Sequence, residues 1–82
     1  MKKVEIYTTA TCSYCRMAKA FFQEKGVAYE EYNVGTDAAR RQEMIDKSGQ
    51  MGVPVIVITD ENGEEQRIVG FDKRSLGAAL GV

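Results

Sequence analysis

Eighty-two residues with 44% apolar and 28% charged side chains describe a globular chain rather than a disordered segment. A net charge of −1 offers no basic surface for nucleic acid or an anionic bilayer, and two cysteines are too few for a secreted disulfide scaffold. A chain this short buries roughly 60–65% of the surface its unfolded form exposes, enough for one domain with a modest core.

The basic start Met1-Lys2-Lys3 is followed by an apolar run that Glu5 interrupts, too short for a signal-peptide core. No stretch approaches the ~20 apolar residues of a membrane helix, so the expected compartment is the cytoplasm. Val4 to Tyr7 reads as a first strand and Thr8 to Thr11 as a polar loop. From Ser13 to Lys25 the period becomes helical, with Tyr14, Met17, Ala18, Phe21, Phe22 and Lys25 on one face and Gly26 as the stop. Phe21 and Phe22 read as core, whereas Tyr14, between the cysteines, reads equally as core or as a half-exposed site residue. Val27 to Val34 carries β-formers and predicts a second strand. Thr36 or Asp37 caps a second helix over Ala38 to Lys47, with Ala38, Met44 and Ile45 inward, and Ser48-Gly49 ends it.

Val53 to Ile58 is the most apolar run, and its β-branched residues predict a strand buried on both faces, with Pro54 opening it. Asp60 to Gly63 carries an Asn-Gly hairpin signal, and Gln66 to Val69 returns as a short antiparallel strand. Asp72 caps a last helix from Lys73 to Leu80, with Leu76, Ala79 and Leu80 inward. The order is β-α-β-α-β-β-α. Its two early β-α-β passages favour right-handed crossovers and a parallel strand pair. The expected fold is α/β, a four-stranded mixed sheet flanked by three helices.

The chemistry is concentrated in Cys12-Ser13-Tyr14-Cys15, where the first strand hands over to the first helix. The thiolate is the nucleophile in disulfide exchange, and cysteines in C-x-x-C motifs or at helix N-termini are acidified. Cys12 lies where unpaired N–H groups and the helix dipole favour negative charge, with Arg16 and Lys19 in the first turns. Cys12 is the expected attacker and Cys15, one turn inside, the resolving thiol. Two sulfurs and no histidine do not make an intrachain zinc site. A cis peptide before Pro54 would leave the Val53 backbone free to pair with an extended substrate. Arg40-Arg41 reads by default as a solvated helix face.

These residues resemble the glutaredoxin family, within the thioredoxin fold. The resemblance rests on Val4-Glu5-Ile6-Tyr7, the Cys12-Ser13-Tyr14-Cys15 motif, Val53-Pro54 before an apolar strand, and Gly70-Phe71-Asp72 before the last helix. Glu43-Met44-Ile45 and Ser48-Gly49 add to it, so that it covers residues 1–82 as a single domain. It implies reduction of protein disulfides and glutathione mixed disulfides, with glutathione as cosubstrate and the protein a monomer. By resemblance, Cys12 would carry the glutathione mixed disulfide and Tyr14 would border the tripeptide. Val53, before Pro54, would pair with its backbone, Arg41 would meet its glycine carboxylate, and Gly70, Phe71 and Asp72 would line its γ-glutamyl end.

The chain departs from the family pattern at Thr9, where a lysine is common, at Gly52, where threonine is usual, and at Val69 and Lys73. The Gly-Phe-Asp ending is also similar to small redoxins that take electrons from thioredoxin reductase. Ser13 occurs in relatives that share a [2Fe–2S] cluster between two subunits and two glutathiones. Both alternatives stay open at this level.

Overall fold

The computed structural model describes residues 2–81. Its elements are β1 (Lys3–Thr8), α1 (Ser13–Glu24), β2 (Glu30–Asn33), α2 (Ala38–Ser48), β3 (Val55–Thr59), β4 (Glu65–Val69) and α3 (Lys73–Leu80). The strands form one mixed sheet in the order β2-β1-β3-β4. β1 and β2 are parallel, and β3 runs antiparallel to both β1 and β4. The first β-α-β passage therefore gives the expected parallel pair. The second does not, because β3 crosses to the far side of β1 and enters in the opposite sense.

Alternation along the central strands divides the core. Val4 and Ile6 of β1 and Ile56 and Ile58 of β3 join Ala18, Phe21, Phe22 and Leu76 under α1 and α3. Tyr7, Val55 and Val57 face the other way and pack with Val34 and Met44 under α2. Val55 to Ile58 are all buried, as expected of a strand covered on both sides.

The buried stripe of α1 is Cys15, Ala18, Phe21 and Phe22. Met17, expected on that face, is exposed instead, and Tyr14, open between core and site in the sequence, is exposed as well. The helix ends in a Schellman arrangement, with Gly26 in the left-handed region and the Val27 N–H donating to the Phe22 carbonyl at 2.8 Å. Val27 thus belongs to the helix exit, which is why β2 starts only at Glu30. In α2, Met44 is buried and Ile45 partly so, whereas Ala38, at the first turn, is exposed. The hairpin is wider than Asn-Gly implies. Thr59 pairs with Glu65, leaving a five-residue loop from Asp60 to Glu64 in which Gly63 takes the positive φ. The Asp60 carboxylate orders it by accepting the N–H groups of Asn62 and Glu64.

α2 crosses the sheet rather than running along it. Arg40 stacks over the Tyr32 ring of β2, 4.0 Å from its centroid, Glu43 accepts the Tyr7 hydroxyl of β1 at 3.0 Å, and Lys47 reaches Glu65 of β4 at 3.3 Å. Beneath it lies Glu5, a carboxylate on the central strand that is only 7% exposed. The Tyr32 hydroxyl is shared between Glu30 (2.7 Å) and Glu5 (2.9 Å). Burial first, and then the bond to Glu43, push the Tyr7 hydroxyl well above its ordinary range, so it remains a donor.

Asp72 caps α3, accepting the N–H groups of Arg74 (3.0 Å) and Ser75 (3.3 Å) and the Ser75 hydroxyl (3.0 Å). These bonds, the Ser75 hydroxyl foremost, hold its carboxyl below the usual range. The stabilisation is therefore complete above the unfolded carboxylate value of about 3.9 and is lost as pH falls through the lower folded value. Asp72→Asn keeps an acceptor at the cap but cannot titrate. Its thermal midpoint at neutral pH is expected to change little, while part of the decline below about pH 4 disappears. A melting profile with the same acid limb as the parent would exclude the cap as its source.

Candidate active site

Cys12 is the N-cap of α1. Its backbone is extended (φ −84°, ψ 110°), and its Sγ accepts the Cys15 N–H at 3.0 Å. A sulfur thus occupies the place where serine or aspartate oxygen usually closes a helix start. The same N–H group and the dipole behind it favour a thiolate there when the pair is reduced. Cys12 and Cys15 are joined as a disulfide with Cα atoms 5.2 Å apart. Their exposure differs: Cys12 is half-buried, whereas Cys15 is 1% exposed within the α1 stripe. Tyr14, between them, is 61% exposed.

The two cations expected to assist Cys12 are engaged elsewhere. Arg16 donates to the Ala10 carbonyl at 3.3 Å. Lys19 pairs with Glu31 of β2 at 2.9 Å, and the same carboxylate oxygen accepts the buried Thr8 hydroxyl at 2.8 Å. Glu31 gave no signal in the sequence, because nothing there shows that β2 lies beside α1.

The Val53–Pro54 peptide is cis, with Val53 half-buried and Pro54 buried. The Gly70 N–H donates to the Pro54 carbonyl at 2.8 Å, bringing the segment after β4 against the proline turn. Phe71 is half-buried, its ring edge-on to Phe21 at 6.3 Å, so it also serves the core. The Asp72 carboxylate is committed to the α3 cap. Arg41 is exposed on α2, the helix covering the opposite sheet face from α1. Gly52 is clamped by the Gln50 side chain, which accepts its N–H at 2.6 Å and donates to its carbonyl at 2.9 Å. A Cβ at position 52 would lie 2.7 Å from Gln50 Oε1, so a threonine there would displace that flexible amide.

The sulfurs do not fit an iron–sulfur cluster within one chain. A cluster takes four thiolates, and this chain has two, one of them buried. Among the described residues no group of three or more His, Cys, Asp or Glu is placed to hold a metal ion. No helix among them is long and apolar enough to cross a membrane.

The family model described as Glutaredoxin matches residues 4–62, which include both cysteines and the cis-proline turn. The chain belongs to the glutaredoxin family. It is 46% identical to Glutaredoxin 3 of Escherichia coli K12 over 72 residues, 88% of this chain and 81% of that relative. Among solved structures, the thioredoxin-like protein BC3987 superposes with a TM-score of 0.82 at 35% identity, over 95% of this chain and 100% of that one. A glutaredoxin of Archaeoglobus fulgidus also gives 0.82, at 22% identity over 98% and 87% of the two chains, a likeness of fold alone. The fold is thus thioredoxin-like, as the family resemblance implied. A glutaredoxin whose Cys12 and Cys15 stand at disulfide distance is a thiol–disulfide oxidoreductase.

Proposed function

We propose that Cys12 is the attacking thiolate and that glutathione returns the electrons. The carrying observation is the asymmetry of the pair, with the reachable sulfur at the helix cap and its partner buried behind it. The Cys12 thiolate attacks one sulfur of a substrate disulfide, forming a mixed disulfide and releasing the other sulfur as thiolate. Attack by the Cys15 thiolate on Cys12 Sγ then closes the internal disulfide and releases the second substrate thiolate. Two glutathiones restore the dithiol and leave as glutathione disulfide. With a glutathione mixed disulfide as substrate, a second glutathione can resolve Cys12 directly. Tyr14, Val53, Pro54, Gly70 and Phe71 flank the tripeptide, with Asp72 at its γ-glutamyl end and Arg41 at its glycine carboxylate. The protein works as a monomeric domain in the cytoplasm on disulfide-containing proteins.

A second donor is favoured by specific residues. Thr9 and Lys73 replace a cation and an acid usual in glutathione recognition, and the chain is similar along its length to a thioredoxin-like protein. Reduction by thioredoxin reductase is the reading these support. Two coupled assays on the same disulfide substrate decide between them, one with glutathione, glutathione reductase and NADPH, the other with thioredoxin reductase and NADPH. Turnover is expected in the first. Turnover in the second alone would move the donor to thioredoxin reductase, and none in either would overturn the proposed reaction.

A further inference from the structure

Glu31 is a charged group that the reaction above does not use, yet it holds both sides of the redox loop. Its Oε2 accepts Thr8 Oγ1, from the last residue of β1, and Lys19 Nζ, from α1. Lys19 stands seven residues after Cys12. Counted from the cap that Cys12 forms, seven residues make about two helical turns, so the Lys19 Cα returns to the side of the cap after a rise of roughly 10 Å along the axis. Of the cations in the first turns of α1, Arg16 is turned onto the Ala10 carbonyl and Lys19 is held against β2 by Glu31. The ion pair, followed by the Thr8 bond, keeps the Glu31 carboxyl below its ordinary range.

We infer that Glu31 is a positioning residue that sets the reactivity of Cys12 through Lys19, drawing the ammonium toward β2 and offsetting its charge. The inference rests on Cys12 being the attacker. Without the carboxylate, Lys19 is an uncompensated cation on the Cys12 face and favours the thiolate. Without Lys19, the carboxylate is uncompensated and disfavours it. The side chains are 28% and 37% exposed, so solvent screening keeps the effect moderate. With that axial rise of roughly 10 Å taken as the separation, one solvent-screened charge changes the thiolate population about two- to fivefold.

The test uses reduced Glu31→Gln, Lys19→Met and the double variant. The glutamine retains an acceptor for Thr8, and circular dichroism verifies each fold. Iodoacetamide alkylation is timed at a pH below the midpoint of the parent thiol, and peptide mapping locates the label. Glu31→Gln is expected to react about two- to fivefold faster and Lys19→Met slower by a similar factor, with the double variant near the parent. The equilibrium with a glutathione redox buffer should move toward the dithiol in the first and toward the disulfide in the second. Changes of the same sign in both single variants would show a merely structural link, and unchanged rates would show none. With label on Cys12, either result overturns the inference alone. Label on Cys15 would overturn the attacker assignment and the inference with it.

Discussion

Cys12→Ser is expected to lower turnover on a glutathione mixed disulfide by on the order of a thousandfold or more. A serine hydroxyl at the α1 cap would still accept the Cys15 N–H, so the helix start and the fold should survive. What is lost is the accessible thiol of the pair, since Cys15 is 1% exposed. Cys15→Ser is expected to behave differently. The mixed disulfide on Cys12 still forms, and external glutathione still resolves it, so turnover on that substrate should remain within about tenfold of the parent. Reduction of protein disulfides, which needs the second internal attack, should fall much further. A coupled glutathione reductase assay on the three proteins checks this. Parental activity in Cys12→Ser would sink the assignment, as would a Cys15→Ser protein as inactive on the small substrate as Cys12→Ser.

Phe22→Ala carries the largest expected cost to stability. Phe22 is fully buried where α1 meets the sheet, and its ring contacts Tyr29 at 5.2 Å and Phe21 at 6.1 Å between centroids. Truncating a buried phenylalanine costs about 3–5 kcal/mol, combining lost transfer energy with an incompletely collapsed cavity. A domain of this length has roughly 4–12 kcal/mol of stability in all. The variant is therefore expected to be largely unfolded under mild denaturant in which the parent remains native. Urea titration followed by circular dichroism measures the difference. A loss below about 1 kcal/mol would mean that neighbouring side chains refill the site.

Much of this molecule could be read from local patterns. The unbroken apolar run from Val55 to Ile58 has few readings besides a strand buried on both sides. The cysteine pair announced the strand-to-helix junction, and the single proline lay where a cis peptide was expected. Pattern and structure part where a local signal competes with something distant. Tyr14 and Met17 fit a helical period as well as the true stripe does. The stripe begins at Cys15 instead, a residue whose chemistry masks its role as a small core side chain. Val27 looked like strand and serves as the helix exit. Glu5 reads only as a break in an apolar run, and its burial goes with the hydroxyl of Tyr32, 27 residues away. The site was legible in its sulfurs but not in its electrostatics. In the sequence Lys19 reads as available to Cys12, because its partner, Glu31, is brought to it only by the pairing of β2 with β1.

The burial of Cys15 also has a kinetic meaning. A sulfur that bulk disulfides cannot approach meets one electrophile, the neighbouring Cys12, and meets it at a very high effective concentration. Under the proposed assignment, the lifetime of a bound protein is then governed by a first-order event inside the chain rather than by the supply of thiols outside. Small thiols compete only if they outrun that event. The depth of one side chain thereby partitions substrates between two exits, one unimolecular and one set by the cell's thiol pool.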